Sequence, residues 1–305
     1  MRWPRRTTSR PGRTRTGVDR VPRKDRAPRK ARLDAELVRR GLARSREQAS
    51  ELVAAGRVKV RGMVAHKSAT AIEIDAPVLV AEDVDDPGWS SRGAHKLLGA
   101  LEAFEPDGLV VPGRRCLDAG ASTGGFTDVL LRRGARGVVA VDVGYGQLDW
   151  KLRTDERVQV HDRTNVRSLT PEGIGGQVDL VVGDLSFISL KLVLPALVAC
   201  STGESDLVPM IKPQFEVGKE RLGSGGVVRD PALRAEAVRE VVHVAADHGL
   251  ALRSAVASPL PGPSGNVEYF VWLRPGDEPD MDRADELIAD AVARGPQEPG
   301  RSNHR

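Results

Sequence analysis

Four titratable residues sit where the hydrophobic pattern gives them chemical meaning. Asp184 follows the apolar run Val178–Gly183, and Lys212 follows the run 207–211. Glu268 lies inside the otherwise apolar run 267–273. Lys96 precedes the face Leu97, Leu98, Leu101 and Phe104 in a helical stretch over 92–105. A buried acid needs a partner, and two lysines are on hand to supply it. A cation near a helix start opposes the helix dipole, so Lys96 reads as a residue placed for function. If the apolar runs are strands of an open α/β sheet, these groups gather at the strand ends, where the ligand crevice of such a sheet lies.

Residues 115–142, RRCLDAGASTGGFTDVLLRRGARGVVAVD, supply that sheet's opening unit. An apolar run ends on Asp118. Gly120, Ala121, Ser122, Thr123, Gly124 and Gly125 form a tight loop. An amphipathic run through Phe126, Val129 and Leu130 stops at Gly134, and a second apolar run ends on Asp142. This is strand, loop, helix, strand and acid, the start of a doubly wound nucleotide-binding sheet. A dinucleotide fingerprint sets glycines at G-x-G-x-x-G against an anionic pyrophosphate. Here Ser122 replaces the second glycine, and an acid precedes the loop. That acid suits a ligand with a positive charge, an amino group and a ribose, so S-adenosylmethionine (SAM) is expected ahead of NAD. The cofactor-binding candidates are Asp118, Gly120, Ser122, Thr123, Gly124, Gly125, Phe126 and Asp142. Asp162, after the run 158–160, is expected to border the adenine.

Composition bounds the remainder. A chain of 305 residues, 40% hydrophobic, is long enough for one large core with a small appendage. No run of about 18 apolar residues suggests a spanning helix. The basic N-terminus has no apolar segment behind it, so no secretory leader is expected. Cys116 and Cys200 show neither a disulfide framework nor metal spacing, and Cys116 reads as a core residue in a reducing cytoplasm. No metal is expected. Residues 1–30 carry 12 Lys/Arg against 2 Asp, whereas the other 275 carry 34 against 40 Asp/Glu. The positive charge thus belongs to the head of the chain, which points to a nucleic-acid partner.

In order, 1–30 is expected to be a disordered basic tail. Residues 31–80 hold two helices, the first ended by Gly41 and the second capped by Ser45 and ended by Gly56. Short strands follow around Val58, Val60, Val64, Ile72, Ile74, Val78 and Val80. The expected form is a small α+β module with its helices packed on one twisted sheet. Residues 81–91 read as a linker, with Trp89 anchoring between domains. The α/β domain covers 92–275, and 276–305 is a tail with one amphipathic stretch. Further elements are expected at 147–152, 189–200, 231–248 and 252–258. The Gly-rich 214–230 is expected to form a flap.

Two resemblances sharpen this reading. Residues 31–62, ARLDAELVRRGLARSREQASELVAAGRVKVRG, resemble the alpha-L RNA-binding module of the ribosomal protein S-four family. That resemblance implies RNA contact through Arg44, Arg46, Lys59 and Arg61, with Arg32 and Arg39 as second choices. The runs SRGAHKL, CLDAGASTGGFTDVLL, DVGYGQL, DLSFISL, KPQFEVG and PSGNVEYF resemble the TlyA family of rRNA methyltransferases, over about 31–273. The larger domain also resembles FtsJ-type 2′-O-methyltransferases, which carry a Lys-Asp-Lys-Glu tetrad. The matching residues are Lys96, Asp184, Lys212 and Glu268. The resemblance implies methyl transfer from SAM to the 2′-oxygen of a cytidine in ribosomal RNA, with ribosomal subunits as partners. A DNA or base N-methyltransferase would want an N-P-P-Y-type motif where this chain reads D-L-S-F, and two other rival readings are an inactive ribosome-assembly factor and a haemolysin. The intact tetrad speaks against the assembly factor, and the lack of a lytic amphipathic or spanning segment against the haemolysin.

Overall fold

A computed structural model of the chain describes residues 30–43, 46–81, 88–262, 264–276 and 278–296. The expected basic tail, the Ser45 cap and Arg44 lie outside these residues. The chain divides into two compact units, Met1–Val84 and Asp85–Arg305.

The first unit contains β1 (Lys30–Arg32), α1 (Leu33–Arg39), α2 (Arg46–Ala54), β2 (Val58–Val60), β3 (Met63–Val64), β4 (Ala71–Glu73) and β5 (Val78–Val80). The apolar spacing that predicts the helices also makes the core. Leu33, Leu37, Ala49, Val53, Val58 and Ile72 are buried together. Gly41 and Gly56 adopt φ +70° and +69° and end the two helices, as glycine does without a Cβ penalty. The expected single sheet is instead two small ones. β1 pairs antiparallel with β4, and β2 lies between β3 and β5. The strands are only two or three residues long, too short for the hydrophobic alternation to fix their partners.

The second unit is built on a seven-stranded sheet of order β11-β12-β10-β9-β6-β7-β8. Its elements are α3 (Gly93–Phe104), β6 (Arg115–Ala119), α4 (Gly125–Arg132), β7 (Gly137–Val141), α5 (Trp150–Arg153), β8 (Val158–His161), β9 (Val178–Gly183), α6 (Leu194–Ala199), β10 (Ser201–Ile211), α7 (Pro213–Glu216), α8 (Pro231–Asp247), β11 (Leu250–Ala257), β12 (Tyr269–Pro275) and α9 (Met281–Arg294). Strands β6 to β10 run parallel, and β12 runs antiparallel to both β10 and β11. The central strands are apolar on both faces because helices cover both. On one face Leu117, Val139 and Val181 pack with Leu197, Val241 and Ile288. On the other, Cys116, Val138 and Leu180 pack with Leu97, Phe104 and Trp272. Burial pushes the Cys116 thiol up to about 12, so it serves as an inert small core residue.

Several expectations need correction. β10 begins at Ser201, six residues before its apolar run, because STGES is too polar to show as a strand yet extends through a register shift after Ser201. The helix expected over 189–200 is a 3-10 turn, Leu190–Leu192, followed by α6 with Pro195 in its first turn. The amphipathic stretch after 276 is α9, and its Ala284, Ile288, Ala291 and Val292 belong to the sheet's core. Trp89, expected between domains, packs inside the second unit, with the Arg132 guanidinium 4.2 Å from its ring centroid.

Candidate active site

The loop after β6 sits at the C-terminal ends of the central parallel strands. Asp118 is fully buried. The Thr127 hydroxyl donates to its Oδ2 at 2.6 Å, and its Oδ1 has no hydrogen-bond partner among the described residues. Burial pushes this carboxyl up to about 7. Gly120 adopts φ +89°, and a Cβ there would stand 2.8 Å from the Asp184 carbonyl oxygen. Glycine thus lets the β6 loop lie against the β9 loop, where the Asp184 N–H donates to the Ala119 carbonyl at 3.0 Å. Asp142 fixes the rim of the loop. Its Oδ2 accepts from the Ser122 N–H at 2.8 Å and its Oδ1 from the Gly144 N–H at 2.7 Å. Asp162 accepts from the Arg153 guanidinium at 2.8 Å, which holds its carboxyl below the usual range, and from the Gly146 N–H at 3.3 Å. The Thr123 carbonyl accepts from the Asp149 N–H.

Three loop candidates are engaged in packing. A Cβ on Gly124 would meet Leu152 Cδ1 at 2.3 Å, and one on Gly125 would meet the Ala94 nitrogen at 2.9 Å. Phe126 is 4% exposed, its ring 5.9 Å from that of Phe270. Gly125 therefore allows α4 to approach the start of α3, the helix that carries Lys96. Gly125→Ala is expected to cost about 1–3 kcal/mol by forcing the helices apart. A thermal melt of the variant unchanged from the parent would contradict that close approach.

Lys96 of α3 and the three residues at strand ends assemble as two ion pairs. Lys212 Nζ lies 2.5 Å from Asp184 Oδ1 and donates to Ser186 Oγ at 2.8 Å. Lys96 Nζ donates to Glu268 Oε2 at 2.6 Å. Neighbouring strands explain the meeting. Pro209 of β10 pairs with Gly183 of β9, and Ile211 of β10 pairs with Tyr269 of β12. Glu268 is not within a strand, as its apolar run implied. It immediately precedes β12, and because β12 is antiparallel its beginning lies beside the end of β10. The pairs differ in exposure. The side chains of Lys96 and Glu268 are 5% and 0% exposed, whereas Asp184 is 24% exposed beside a Lys212 at 7%. The second pair is the one open to an incoming group.

The sequence reading missed two contributors. Ser186 is a second partner of Lys212, and its only signal was its place in D-L-S-F. Asp128 is buried and accepts from the Ser90 N–H and hydroxyl at 3.0 and 3.1 Å and from Arg132 Nε at 2.7 Å. It docks the segment before α3 onto α4, and the i,i+4 spacing of Asp128 and Arg132 was its visible sign.

In the first unit, the RNA candidates are ordered by acids. Asp34 accepts from Arg32 at 2.8 Å and from Arg46 at 3.0 Å, which holds its carboxyl far below the usual range. Glu36 accepts from Arg39 and Arg40 and is lowered to about 2, chiefly by Arg39. Arg61, at φ 51°, pairs with Glu73, and Lys59 is exposed on β2. Side chains of Arg32, Arg39, Arg46 and Arg61 remain more than half exposed. Each guanidinium has five N–H donors, so these pairs orient the arginines without using them up.

Comparison with known proteins agrees with this layout. The pattern of the FtsJ-like methyltransferase family matches residues 89–275, and that of the S4 domain matches 31–70. The chain is 63% identical over 246 residues to the 16S/23S rRNA (cytidine-2'-O)-methyltransferase TlyA of Mycobacterium tuberculosis, covering 81% of this chain and 90% of that protein. It is 35% identical over 240 residues to a Brachyspira hyodysenteriae protein named Hemolysin A, covering 78% and 98%. A solved Streptococcus thermophilus structure that also carries the name hemolysin superposes with a TM-score of 0.68 at 36% identity, covering 87% of this chain and 96% of that one. No helix among the described residues is long and apolar enough to cross a membrane. With the acid-flanked glycine loop and the two lysine–carboxylate pairs at one end of the central strands, these matches place the chain in the TlyA family of FtsJ-like methyltransferases.

Proposed function

We propose that the protein transfers a methyl group from SAM to the 2′-hydroxyl of a cytidine in ribosomal RNA. The observation that carries this reading is the pairing of Lys212 with Asp184 and of Lys96 with Glu268 beside the acid-flanked loop. The names borne by relatives support it, among them the M. tuberculosis methyltransferase acting on 16S and 23S rRNA.

The loop fits the cofactor. The unpartnered Asp118 Oδ1 suits a cationic amino group, and the Asp142 carboxylate, rigidly oriented by two backbone N–H groups, can accept from ribose hydroxyls. SAM, when bound, supplies an already activated methyl group. The chain's own residues then have to raise the nucleophilicity of a hydroxyl whose pKa lies far above neutral. Lys212, held by Asp184 and Ser186, is the group nearest that oxygen, which it polarises or, once neutral, relieves of its proton. Lys96, sealed against Glu268, adds positive charge behind the developing oxyanion. Fixing the hydroxyl in line with the methyl supplies much of the remaining acceleration. The 2′-hydroxyl distinguishes RNA from DNA, and the exposed arginines of the S4 domain suit its phosphates.

Asp118 gives this reading a pH signature. Its folded-state pKa is raised, so its contribution to the stability of the free protein is fully present below the ordinary carboxyl range and is lost as pH rises through about 7. A cationic group placed beside Oδ1 favours the ionised form. SAM affinity should therefore tighten by about tenfold from pH 6 to pH 8, and Asp118→Asn should bind weakly with a flat profile. Calorimetric titration across that range checks both, and a pH-independent Kd for the parent protein would remove Asp118 from the cofactor site. The reaction itself is tested by mapping 2′-O-methylation of purified small and large subunits incubated with the protein and SAM. Failure to modify a cytidine in either subunit would overturn the assignment.

A further inference from the structure

KPQFEVG is a hallmark run of which the proposed chemistry uses only Lys212. Its acid, Glu216, is 7% exposed and lies on α7, one helical turn beyond that lysine. Its carboxylate reaches back to the loop that carries Asp184 and Ser186. The Ser189 hydroxyl donates to Glu216 Oε2 at 2.5 Å, and the Leu190 N–H donates to Oε1 at 2.8 Å. Ser189 also caps the Leu190–Leu192 turn by accepting from the Lys191 N–H at 3.2 Å. Between this contact and the Lys212–Asp184 pair, the rings of Phe187 and Phe215 meet with centroids 5.3 Å apart. Phe187 has φ 64°, a left-handed backbone that a bulky residue adopts only under constraint. The two loops are thus joined at successive points, from Lys212 with Asp184 and Ser186, through the phenylalanines, to Glu216 with Ser189 and Leu190.

We infer that Glu216 is a positioning residue for methyl transfer, cross-linking the β9 and β10 loops so that Lys212 keeps its alignment with Asp184 and Ser186. Burial raises the Glu216 carboxyl, so the bonds from Ser189 and Leu190 are what hold an acid at this place. Glu216 does not contact the reacting atoms; it acts through the distance between two loops. A misplacement of about 1 Å of a catalytic group costs roughly a hundredfold in rate, so a short and buried cross-link is a sensitive control point.

This inference rests on the proposed methyl transfer, and its test separates the two. Glu216→Ala should lower kcat about thirtyfold while leaving the RNA KM and the SAM Kd within about twofold. Glu216→Gln, which keeps the shape and one acceptor, should stay within about threefold of the parent. In Asp184→Asn protein, where the aligned pair is already broken, Glu216→Ala should cost less than about twofold further. Equal losses in the two backgrounds, or parental kcat in Glu216→Ala, would overturn the inference. If Glu216→Ala does not fold, Ser189→Ala takes its place in the same cycle, with additivity counting against the cross-link and non-additivity for it. Amide exchange needs no substrate and is read alongside. Residues 185–190 should exchange faster in Glu216→Ala but not in Glu216→Gln, with β6 and β9 unchanged. A parent enzyme inactive on ribosomal RNA would refute the reaction, while the exchange pattern would still decide the cross-link.

Discussion

Lys212→Ala is expected to lower methyl transfer by about a thousandfold, the scale of losing either a general base or an oxyanion stabiliser. The SAM Kd should change by less than about threefold, because the lysine acts on the acceptor oxygen. Its ammonium is fixed from two sides, by Asp184 at 2.5 Å and by Ser186 Oγ at 2.8 Å, in the more exposed of the two ion pairs. Lys212→Arg should not rescue the activity. A guanidinium stays protonated and its planar fork does not reproduce the point charge of an ammonium, so it can neither accept the proton nor fit between Asp184 and Ser186. Single-turnover transfer of labelled methyl, with calorimetry for SAM, measures both quantities. Near-parental turnover in Lys212→Ala would remove this residue from the chemistry.

Glu268→Ala should have the largest effect on stability. It leaves Lys96, with a side chain only 5% exposed, as a buried cation without its carboxylate. Breaking such a pair from one side costs about 3–5 kcal/mol. For a unit of this size that corresponds to roughly 10 °C in Tm. Replacing both partners, as in Lys96→Met with Glu268→Leu, should restore most of that stability, since a buried pair is close to neutral against a hydrophobic isostere. The same double variant should be inactive. Stability and catalysis separate in this way under the proposed role, in which the pair supplies charge to the acceptor site rather than stability. Thermal melts of the single and double variants decide the matter, and a Glu268→Ala protein as stable as its parent would mean that Lys96 finds another partner.

Local pattern carried much of the architecture. The apolar runs ending on Asp118, Asp142 and Asp184 marked β6, β7 and β9, since parallel strands covered on both faces must be apolar throughout. The glycine-rich loop with an acid before it indicated the ligand edge, and β-branched runs alternating with helical spacing indicated a doubly wound sheet. By itself, the sequence determined which residues have to be buried and which chemistry-bearing side chains stand at the ends of apolar runs.

Tertiary structure decided who meets whom. Lys96 and Glu268 are 172 positions apart, and their pairing depends on β12 running antiparallel to β10, which places the beginning of one strand beside the end of the other. Strand direction leaves no trace in a period-two pattern, and Val267 extends the apolar run past Glu268, although the strand itself begins at Tyr269. The role of Gly125 was equally hidden, because the close approach it permits involves the Ala94 backbone, which belongs to a different helix. Burial is written along the chain as periodicity. Distances between side chains remote in sequence arise only when the sheet order is set, and in this protein those distances turn four charged residues into two ion pairs.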